Sequence, residues 1–294
     1  MTRAITIIIP TFNSGKYIKK CLDSIFSQTY KNFEVIIFDN GSCDDTFHVA
    51  DQYPVTLVKN GYNVGWARAN NLCIAKAKSR YVFLLNIDTV LHKDCLKKLF
   101  EFAESKNNFA CISPGIVEYL SSFSGKHDDV YPLAFDINSG LIKAYSVDQE
   151  YVEVSFVPGT ALFANRCALK KELYFREDFF MYHEDVEFSL RILARTSFKL
   201  FFLKTAIIAH DSKQSFSKPS TCSLALRNLF KCLIEYQNCK EFLSHYYAYA
   251  KSLFLMYIRF YGRYYPITYP IFSAYHLLVS LARLQRCNDM DLTR

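Results

Sequence analysis

The 294-residue sequence has little glycine, proline or charge: 9 glycines, 8 prolines and 21% charged residues. The low glycine and proline counts exclude collagen-like and low-complexity chains, and a hydrophobic fraction of 51% excludes intrinsic disorder. Its ten cysteines include no C-x-x-C pair, and the N-terminus lacks the basic segment and apolar stretch of a secretory signal. We therefore expect a folded protein of a reducing, cytoplasmic compartment.

Aromatic residues are abundant, at 16% of the chain, and the net charge is +7. Both features concentrate toward the C-terminus. Thirteen Phe and Tyr lie within residues 242–275, and nine Lys and Arg follow residue 226 against four Asp and Glu. This asymmetry predicts a chain of two parts.

Strand and helix patterns alternate in the first hundred residues. Apolar runs at residues 5–9, 33–38 and 81–85 are typical of buried parallel strands, and helical spacing occurs at 17–26 and 72–77. The pattern predicts a doubly wound α/β sheet. Residues 105–150 resemble a loop-rich insertion. Beyond them we expect a strand at 152–156, a helix at 184–195 and two short strands at 198–203 and 206–209.

Polar side chains follow each predicted strand: Thr11 and Asn13 after the first, Asp39 after the second, and Asn86 with Asp88 after 81–85. Any one of these aspartates could be a helix cap or a turn former. Ligands of open α/β sheets bind beyond the carboxyl ends of the strands, however, so three such clusters at one edge favour a binding site.

Several motifs resemble those of the family 2 glycosyltransferases. In chain order they are IIIPTFNSGKYIKKCLDSIFSQTYKNFEVIIFDNGSCDDT, YNVGWARANN, YVFLLNIDT, VPGTALFANR, FREDFFMYHEDVEFSLRI and IIAHDSKQSF. The resemblance covers residues 4–216. It implies a GT-A fold, a Rossmann-like nucleotide-binding mixed sheet flanked by helices, in a domain of residues 1–216. Residues 1–105 would bind the donor and residues 106–216 the acceptor.

The resemblance also implies roles on the donor side. Asp39 would accept the imide N–H of a uracil or thymine ring. Thr11 and Asn13 would line the nucleotide, or else form a plain turn. In the N-x-G-[FW] signature, Gly65 fits a turn with positive φ or a close approach to ligand. The other donor-side residues are Asn63 and Trp66, and Trp66 would stack on the donor or pack in the core.

A divalent cation is implied where the family has a D-x-D motif, here Asn86, Ile87 and Asp88. Asp88 is the firm ligand, whereas Asn86 is uncharged and binds metal weakly. His210 would complete the metal or diphosphate site, or be a structural hydrogen-bonding residue. Mg²⁺ or Mn²⁺ suits such oxygen ligands and would neutralise the leaving diphosphate.

The general base implied by the resemblance is Asp185, with Glu184 supporting it. A carboxylate can take the proton of the acceptor hydroxyl in a single displacement that inverts the anomeric carbon. The alternative is that both acids merely stabilise the first turn of a helix. Gly159, Thr160 and His183 would border the acceptor.

The sequence therefore predicts an inverting, metal-dependent glycosyltransferase of cell-surface polysaccharide synthesis with a saccharide or lipid-linked acceptor. The LLN-x-DT and H-x4-SF patterns look most like the bacterial rhamnosyltransferase branch, which favours dTDP-rhamnose as donor. A UDP-hexose or UDP-N-acetylhexosamine donor is an alternative. A non-catalytic nucleotide-sugar-binding subunit of a membrane assembly is an alternative of another class.

The aromatic, basic segment of residues 217–294 is predicted to be a helical extension. Residues 264–282 contain no Lys, Arg, Asp or Glu, but two prolines disfavour an ordinary membrane-spanning helix. Aromatic and basic residues together favour attachment to the inner face of the cytoplasmic membrane over a solvated appendage or an oligomer surface. The segment is too apolar for a nucleic-acid groove, so we expect no nucleic-acid partner.

Overall fold

The computed structural model describes residues 3–118, 133–135, 142–144, 149–211, 224–225, 227–228, 231–232 and 235. Its strands are β1 (Ile5–Thr11), β2 (Phe33–Asp39), β3 (Thr56–Lys59), β4 (Tyr81–Leu85), β5 (Thr89–Leu91), β6 (Phe109–Glu118), β7 (Leu133–Phe135), β8 (Ile142–Ala144), β9 (Tyr151–Val154), β10 (Ala161–Asn165) and β11 (Lys199–His210). Its helices are α1 (Gly15–Phe26), α2 (Thr46–Ala50), α3 (Trp66–Lys76), α4 (Cys95–Ser105) and α5 (Glu184–Arg195).

One mixed sheet organises the described residues, with the strand order β3-β2-β1-β4-β10-β6-β11-β5 and β9 also paired with β11. Strands β3, β2, β1 and β4 are parallel, and the apolar runs predict three of them, β1, β2 and β4. Strand β10 is antiparallel to both β4 and β6, while β6 and β11 are parallel to each other. The sheet therefore has a parallel half and a mixed half.

Both faces of the sheet are buried. Alternate residues of its central strands therefore pack into two different hydrophobic cores, one on each face. Ile5, Ile7 and Ile9 pack with α1 and α4, whereas Ile8 packs with α3 and α5. A strand covered on both faces needs a continuous apolar run, which explains the sequence of β1. The result is a three-layer α/β/α arrangement.

Two expectations are wrong. Residues 109–118 form the strand β6 rather than part of a loop-rich insertion, and residues 199–210 form one strand rather than two. Pro114 and Gly115 conceal β6 in the sequence, because both residues weaken a strand pattern. They pair with Leu203 and Ile207 of β11, at one of the two positions where the register between β6 and β11 shifts.

The chain separates into two compact units, residues 1–136 with 142–212, and residues 137–141 with 213–294. The candidate site lies in the first unit. The predicted boundary at 216 and most of the predicted membrane-attached extension, residues 217–294, lie outside the described residues. In the part of the chain that the structure describes, no helix is long and apolar enough to cross a membrane.

Candidate active site

The strands bring the predicted residues to one edge of the sheet. Strands β1, β2 and β4 end there in parallel, next to Thr11, Asp39 and Asn86. Strand β10 runs the other way and begins there, opposite Leu85, directly after the turn of residues 158–160. Strand β11 ends at the same edge with His210. Topology thus gathers residues from distant parts of the sequence.

Two loops, residues 11–14 and 39–43, meet at the part of this edge where a nucleotide is predicted to bind, and we call them the donor loops. The carboxylate of Asp39 is 1% exposed and accepts hydrogen bonds from the hydroxyl and N–H of Ser42 and, at 3.3 Å, from the hydroxyl of Thr11. Asp39 therefore closes a turn, the alternative that the sequence left open. Its contact with a nucleobase stays a prediction.

Asn13 fastens the two donor loops together. Its side-chain oxygen accepts the N–H of Cys43 at 2.9 Å, and its own N–H donates to the hydroxyl of Ser42 at 2.9 Å. Its φ of +49° is left-handed, a conformation that asparagine tolerates better than most residues. The structure thus supports the turn role of Asn13 and leaves its nucleotide contact as a prediction.

The turn before α3 fixes Trp66. Asn63 accepts the N–H of Gly65 at 2.9 Å, and Gly65 has the positive φ that its position predicts, +87°. A Cβ at Gly65 would overlap the carbonyl oxygen and ring of Phe180, whose carbonyl accepts the N–H of Trp66 at 2.9 Å. The close approach at Gly65 is therefore to the loop before α5.

Trp66 and Asn86 contact each other directly. The indole N–H of Trp66 donates to the side-chain oxygen of Asn86 at 3.0 Å, and the indole ring packs edge-on against Phe175 at 5.0 Å between centroids. The N–H of Asn86 donates to the carbonyl of Thr160 at 2.9 Å. The oxygen through which Asn86 was expected to bind metal thus already accepts a hydrogen bond.

Asp88 and His210 place two unsatisfied atoms side by side. Oδ1 of Asp88 and Nε2 of His210 are 3.4 Å apart, and both atoms are buried without a hydrogen-bond partner among the described residues. A buried carboxylate oxygen and an imidazole nitrogen that face each other this way fit a divalent cation such as Mn²⁺. Across the described ranges no group of three His, Cys, Asp or Glu residues that could hold a metal ion is found.

Asp185 and Glu184 open α5 as an acidic pair, in which Glu184 is buried and Asp185 is partly exposed. Oδ2 of Asp185 accepts the N–H of Gly159 at 2.8 Å, and Oδ1 accepts the N–H of Val186 at 2.9 Å. Burial raises the pKa of Asp185 above its ordinary value, although these donors oppose the rise. Burial and the charge of Asp185 raise the pKa of Glu184 well above its ordinary value. Both acids therefore bind a proton more readily than ordinary carboxyl groups do.

The residues before this pair have unusual backbone. Tyr182 and His183 have φ values of +70° and +63°, a left-handed conformation that is costly for side chains of this size. His183 is buried, and burial lowers its pKa to about 4, so its imidazole is neutral at pH 7. Such strain is typical of functional loops, and the acceptor contacts predicted for His183, Gly159 and Thr160 stay predictions.

The sequence analysis missed Ser42, Glu187 and Arg191. Serine is so common in turns that its contact with Asp39 gave no separate signal. The i, i+4 spacing of Glu187 and Arg191 did signal a pair on α5. Their charges are 2.9 Å apart and buried, and Arg191 also donates to the carbonyls of Glu172 and Tyr174. This pair holds the segment before Phe175 against α5.

Comparison with known proteins gives consistent results. The sequence model described as "Glycosyl transferase family 2" matches residues 6–173. Glycosyltransferase GlyG of Streptococcus pneumoniae serotype 4 is 29% identical over 112 residues, 36% of this chain and 37% of that protein. UDP-Glc:alpha-D-GlcNAc-diphosphoundecaprenol beta-1,3-glucosyltransferase WfaP of Escherichia coli is 31% identical over 144 residues, 48% of this chain and 56% of that protein.

Among solved structures, mannosyltransferase PcManGT from Pyrobaculum calidifontis, in complex with GDP-Man and Mn²⁺, superposes with a TM-score of 0.60. The match has 17% sequence identity and covers 97% of this chain and 81% of that one. It shows a shared fold, the GT-A fold predicted from the motifs. The aligned segments span well under two thirds of GlyG and of WfaP.

Proposed function

The chain belongs to glycosyl transferase family 2, and we propose that it is an inverting glycosyltransferase of cell-surface polysaccharide synthesis. It moves a sugar from a nucleoside diphosphate donor to a hydroxyl of a saccharide or lipid-linked acceptor. One observation carries the proposal. The carboxylate of Asp185, with a raised pKa and both oxygens oriented by N–H groups, lies at the strand-end edge that also holds Asp39, Asp88 and His210.

Asp185 is the general base of the proposed reaction. The acceptor oxygen bonds to the anomeric carbon while its proton passes to Asp185. The bond from that carbon to the diphosphate oxygen breaks in the same displacement, and the nucleoside diphosphate leaves. One displacement inverts the anomeric carbon and needs no nucleophilic carboxylate. The raised pKa makes Asp185 a stronger base, and turnover should fall as pH decreases through that pKa.

The leaving group needs charge neutralisation, for which the structure offers Asp88 and His210. Their unsatisfied oxygen and nitrogen would hold Mg²⁺ or Mn²⁺. When bound, that ion would neutralise negative charge on the leaving diphosphate. Burial raises the pKa of Glu184 well above its ordinary value, which disfavours a second negative charge at the edge that receives the diphosphate.

The donor is proposed to be dTDP-rhamnose, on the LLN-x-DT and H-x4-SF motifs. A UDP-hexose is the second candidate, favoured by the similarity to WfaP, whose name gives UDP-Glc as donor. Asp39 does not discriminate between the two, because thymine and uracil present the same imide N–H to a carboxylate. Cytosine has no N–H at that ring position, so a CDP donor fits Asp39 less well.

The acceptor is proposed to be lipid-linked, with residues 217–294 attached to the inner membrane surface. The similarity to WfaP supports this, since its name gives a diphosphoundecaprenol acceptor. The aromatic and basic composition of residues 242–275 supports it independently. Charge reversal at Arg259 and Arg263 in the full chain should reduce flotation with anionic liposomes, and unchanged flotation would contradict the attachment.

The decisive experiment measures nucleoside diphosphate release by the full chain with dTDP-rhamnose and with UDP-glucose, each with Mn²⁺ and a GlcNAc-diphospholipid acceptor. We expect Asp185→Asn to lower kcat by about 10²–10⁴-fold, because an amide cannot take the proton. Asp51→Asn, an exposed aspartate on the surface, is the matched control. Donor binding, measured by thermal shift, should remain in Asp185→Asn.

Two results would contradict the proposal. Full activity in Asp185→Asn would remove the assigned base. Donor binding without turnover for either donor in the wild-type chain would instead favour the non-catalytic subunit. Asn86 in place of the first D-x-D aspartate is the feature of this sequence that favours that second function.

A further inference from the structure

Four residues form a closed set of contacts behind the proposed base. Asn86 holds Trp66 through its side chain and the carbonyl of Thr160 through its backbone N–H. The ring of Trp66 lies against Gly159, where a Cβ would be only 3.1 Å and 3.2 Å from two ring carbons. Asn86 therefore contacts Trp66, Trp66 contacts Gly159, and Thr160, the residue after Gly159, contacts Asn86 again. We call these four residues the circuit.

This circuit ends on Asp185. The N–H of Gly159 donates to Oδ2 of Asp185 at 2.8 Å, and a Cβ at Gly159 would lie 3.4 Å from Cβ of Asp185. The ring of Trp66 and the carboxylate of Asp185 therefore contact the same glycine. The peptide that orients the carboxylate thus lies directly beside the ring.

We propose that Asn86 and Trp66 are positioning residues for Asp185, an inference that rests on the proposed function. Asn86 fixes the indole, the indole presses on Gly159, and Gly159 holds the oxygen that takes the proton. The role of Asn86 is thus to set the geometry of the base, whereas Asp88 and His210 would hold the cation that neutralises the diphosphate. A neutral residue suffices at position 86, because an amide oxygen accepts the indole N–H.

The rigidity of the ring supports this role. Trp66 also packs edge-on against Phe175, which stacks on Phe188 of α5 at 4.3 Å between centroids. Asn71 accepts the N–H of Phe175 at 3.0 Å and donates to its carbonyl at 2.7 Å. Phe175 therefore fixes one side of the indole, and the hydrogen bond to Asn86 sets the position of the indole against Phe175.

The test compares Asn86→Leu, Asn86→Asp and Trp66→Phe in the full chain. Leucine has a similar size but accepts no hydrogen bond, whereas aspartate accepts one. We expect Asn86→Leu to lower kcat by about 10- to 100-fold with little change in donor KM, since small displacements of a reacting group cost that much. Asn86→Asp should retain most of the wild-type kcat. In the double variant Asn86→Leu/Trp66→Phe, the two losses should be far from additive.

A second readout needs neither donor nor metal. Trp66 is the only tryptophan in the chain, so intrinsic fluorescence reports its surroundings alone. Asn86→Leu should shift its emission maximum and increase quenching by acrylamide, whereas Asn86→Asp should leave quenching near the wild-type level. Unchanged emission and quenching in Asn86→Leu would overturn the assigned contact.

The kinetic outcomes separate this inference from the proposed function. Unchanged kcat in Asn86→Leu, with turnover in the wild-type chain, overturns the positioning role alone. An increased Mn²⁺ requirement with normal kcat at saturating Mn²⁺ overturns it too and makes Asn86 a metal ligand. A wild-type chain without turnover overturns the function as well as the positioning role.

Discussion

The donor loops and the acidic edge, which comprises Asp88, Glu184, Asp185 and His210, satisfy their polar groups in opposite ways. In the donor loops, Asp39 and Asn13 form hydrogen bonds with Ser42, Thr11 and Cys43. At the acidic edge, one atom each of Asp88, His210 and Glu184 is buried without a hydrogen-bond partner among the described residues.

This difference indicates what each region contributes. Loops whose polar groups bind each other hold their shape before a ligand arrives, so they provide a preformed surface. Unsatisfied buried groups cost free energy until something completes them, which is a signature of sites completed by ligands. We infer that the donor loops position the nucleotide and that the acidic edge depends on the diphosphate and its cation.

The largest effect is expected when a buried ion pair of α5, next to the acidic edge, loses one partner. Glu187→Gln removes the buried charge that pairs with Arg191, whose side chain is only 5% exposed. We expect a loss of about 3–5 kcal/mol in the free energy of unfolding, because a buried charge left without its partner is costly. Urea denaturation measures this.

Glu153→Gln is the matched control, since Glu153 pairs with Lys199 at 2.7 Å on the surface with both side chains about half exposed. Exposed pairs contribute about 0–1 kcal/mol, so this variant should unfold almost as the wild type does. Equal losses in the two variants would show that burial of the Glu187 pair does not govern its contribution.

The next largest effect is expected on cation binding by Asp88 and His210. Asp88→Asn should weaken Mn²⁺-dependent binding of UDP by about 100-fold, because an amide oxygen carries no charge for the cation. Isothermal titration of UDP with and without Mn²⁺ measures the difference. His210→Gln should act in the same direction. Metal-dependent binding that is unchanged in both variants would contradict the assigned cation site.

A smaller effect is expected in the donor loops. Ser42→Ala removes the hydroxyl that donates to Asp39 and accepts from the N–H of Asn13. The lost hydrogen bonds should weaken nucleotide binding about five- to tenfold, equivalent to about 1 kcal/mol, with kcat nearly unchanged. Ser105→Ala, on the exposed end of α4, is the control. A change in kcat rather than in donor affinity would assign Ser42 to catalysis.

The sequence predicts what depends on regular patterns. Strands β1, β2 and β4 follow from their apolar runs, and α5 has the predicted bounds because its apolar spacing is regular and its first turn is acidic. Strand β6 was not predicted, because Pro114 and Gly115 interrupt its apolar pattern. A proline is tolerated there only because the register of β11 shifts opposite it, a property of the partner strand.

The candidate site divides in the same way. Its location could be predicted, since motifs that follow parallel strands must meet at one edge. Its contacts could not, because the bond from Trp66 to Asn86 and the bond from Gly159 to Asp185 join residues 20 and 26 positions apart. Only the packing of α3 and α5 on the sheet decides which side chain reaches which partner.

The smallest expected effect separates the two glutamates of α5. Burial and the charge of Asp185 raise the pKa of Glu184 well above its ordinary value of 4.5, so the folded chain binds a proton that the unfolded chain releases. Stability therefore falls as pH rises above 4.5. Glu184→Gln removes this dependence and should stabilise the chain slightly at pH 8, but not at pH 4. Thermal unfolding at both values measures it. A variant that is less stable than wild type at pH 8 would mean that Glu184 is ionised and stabilised by a partner, which would end the contrast with Glu187.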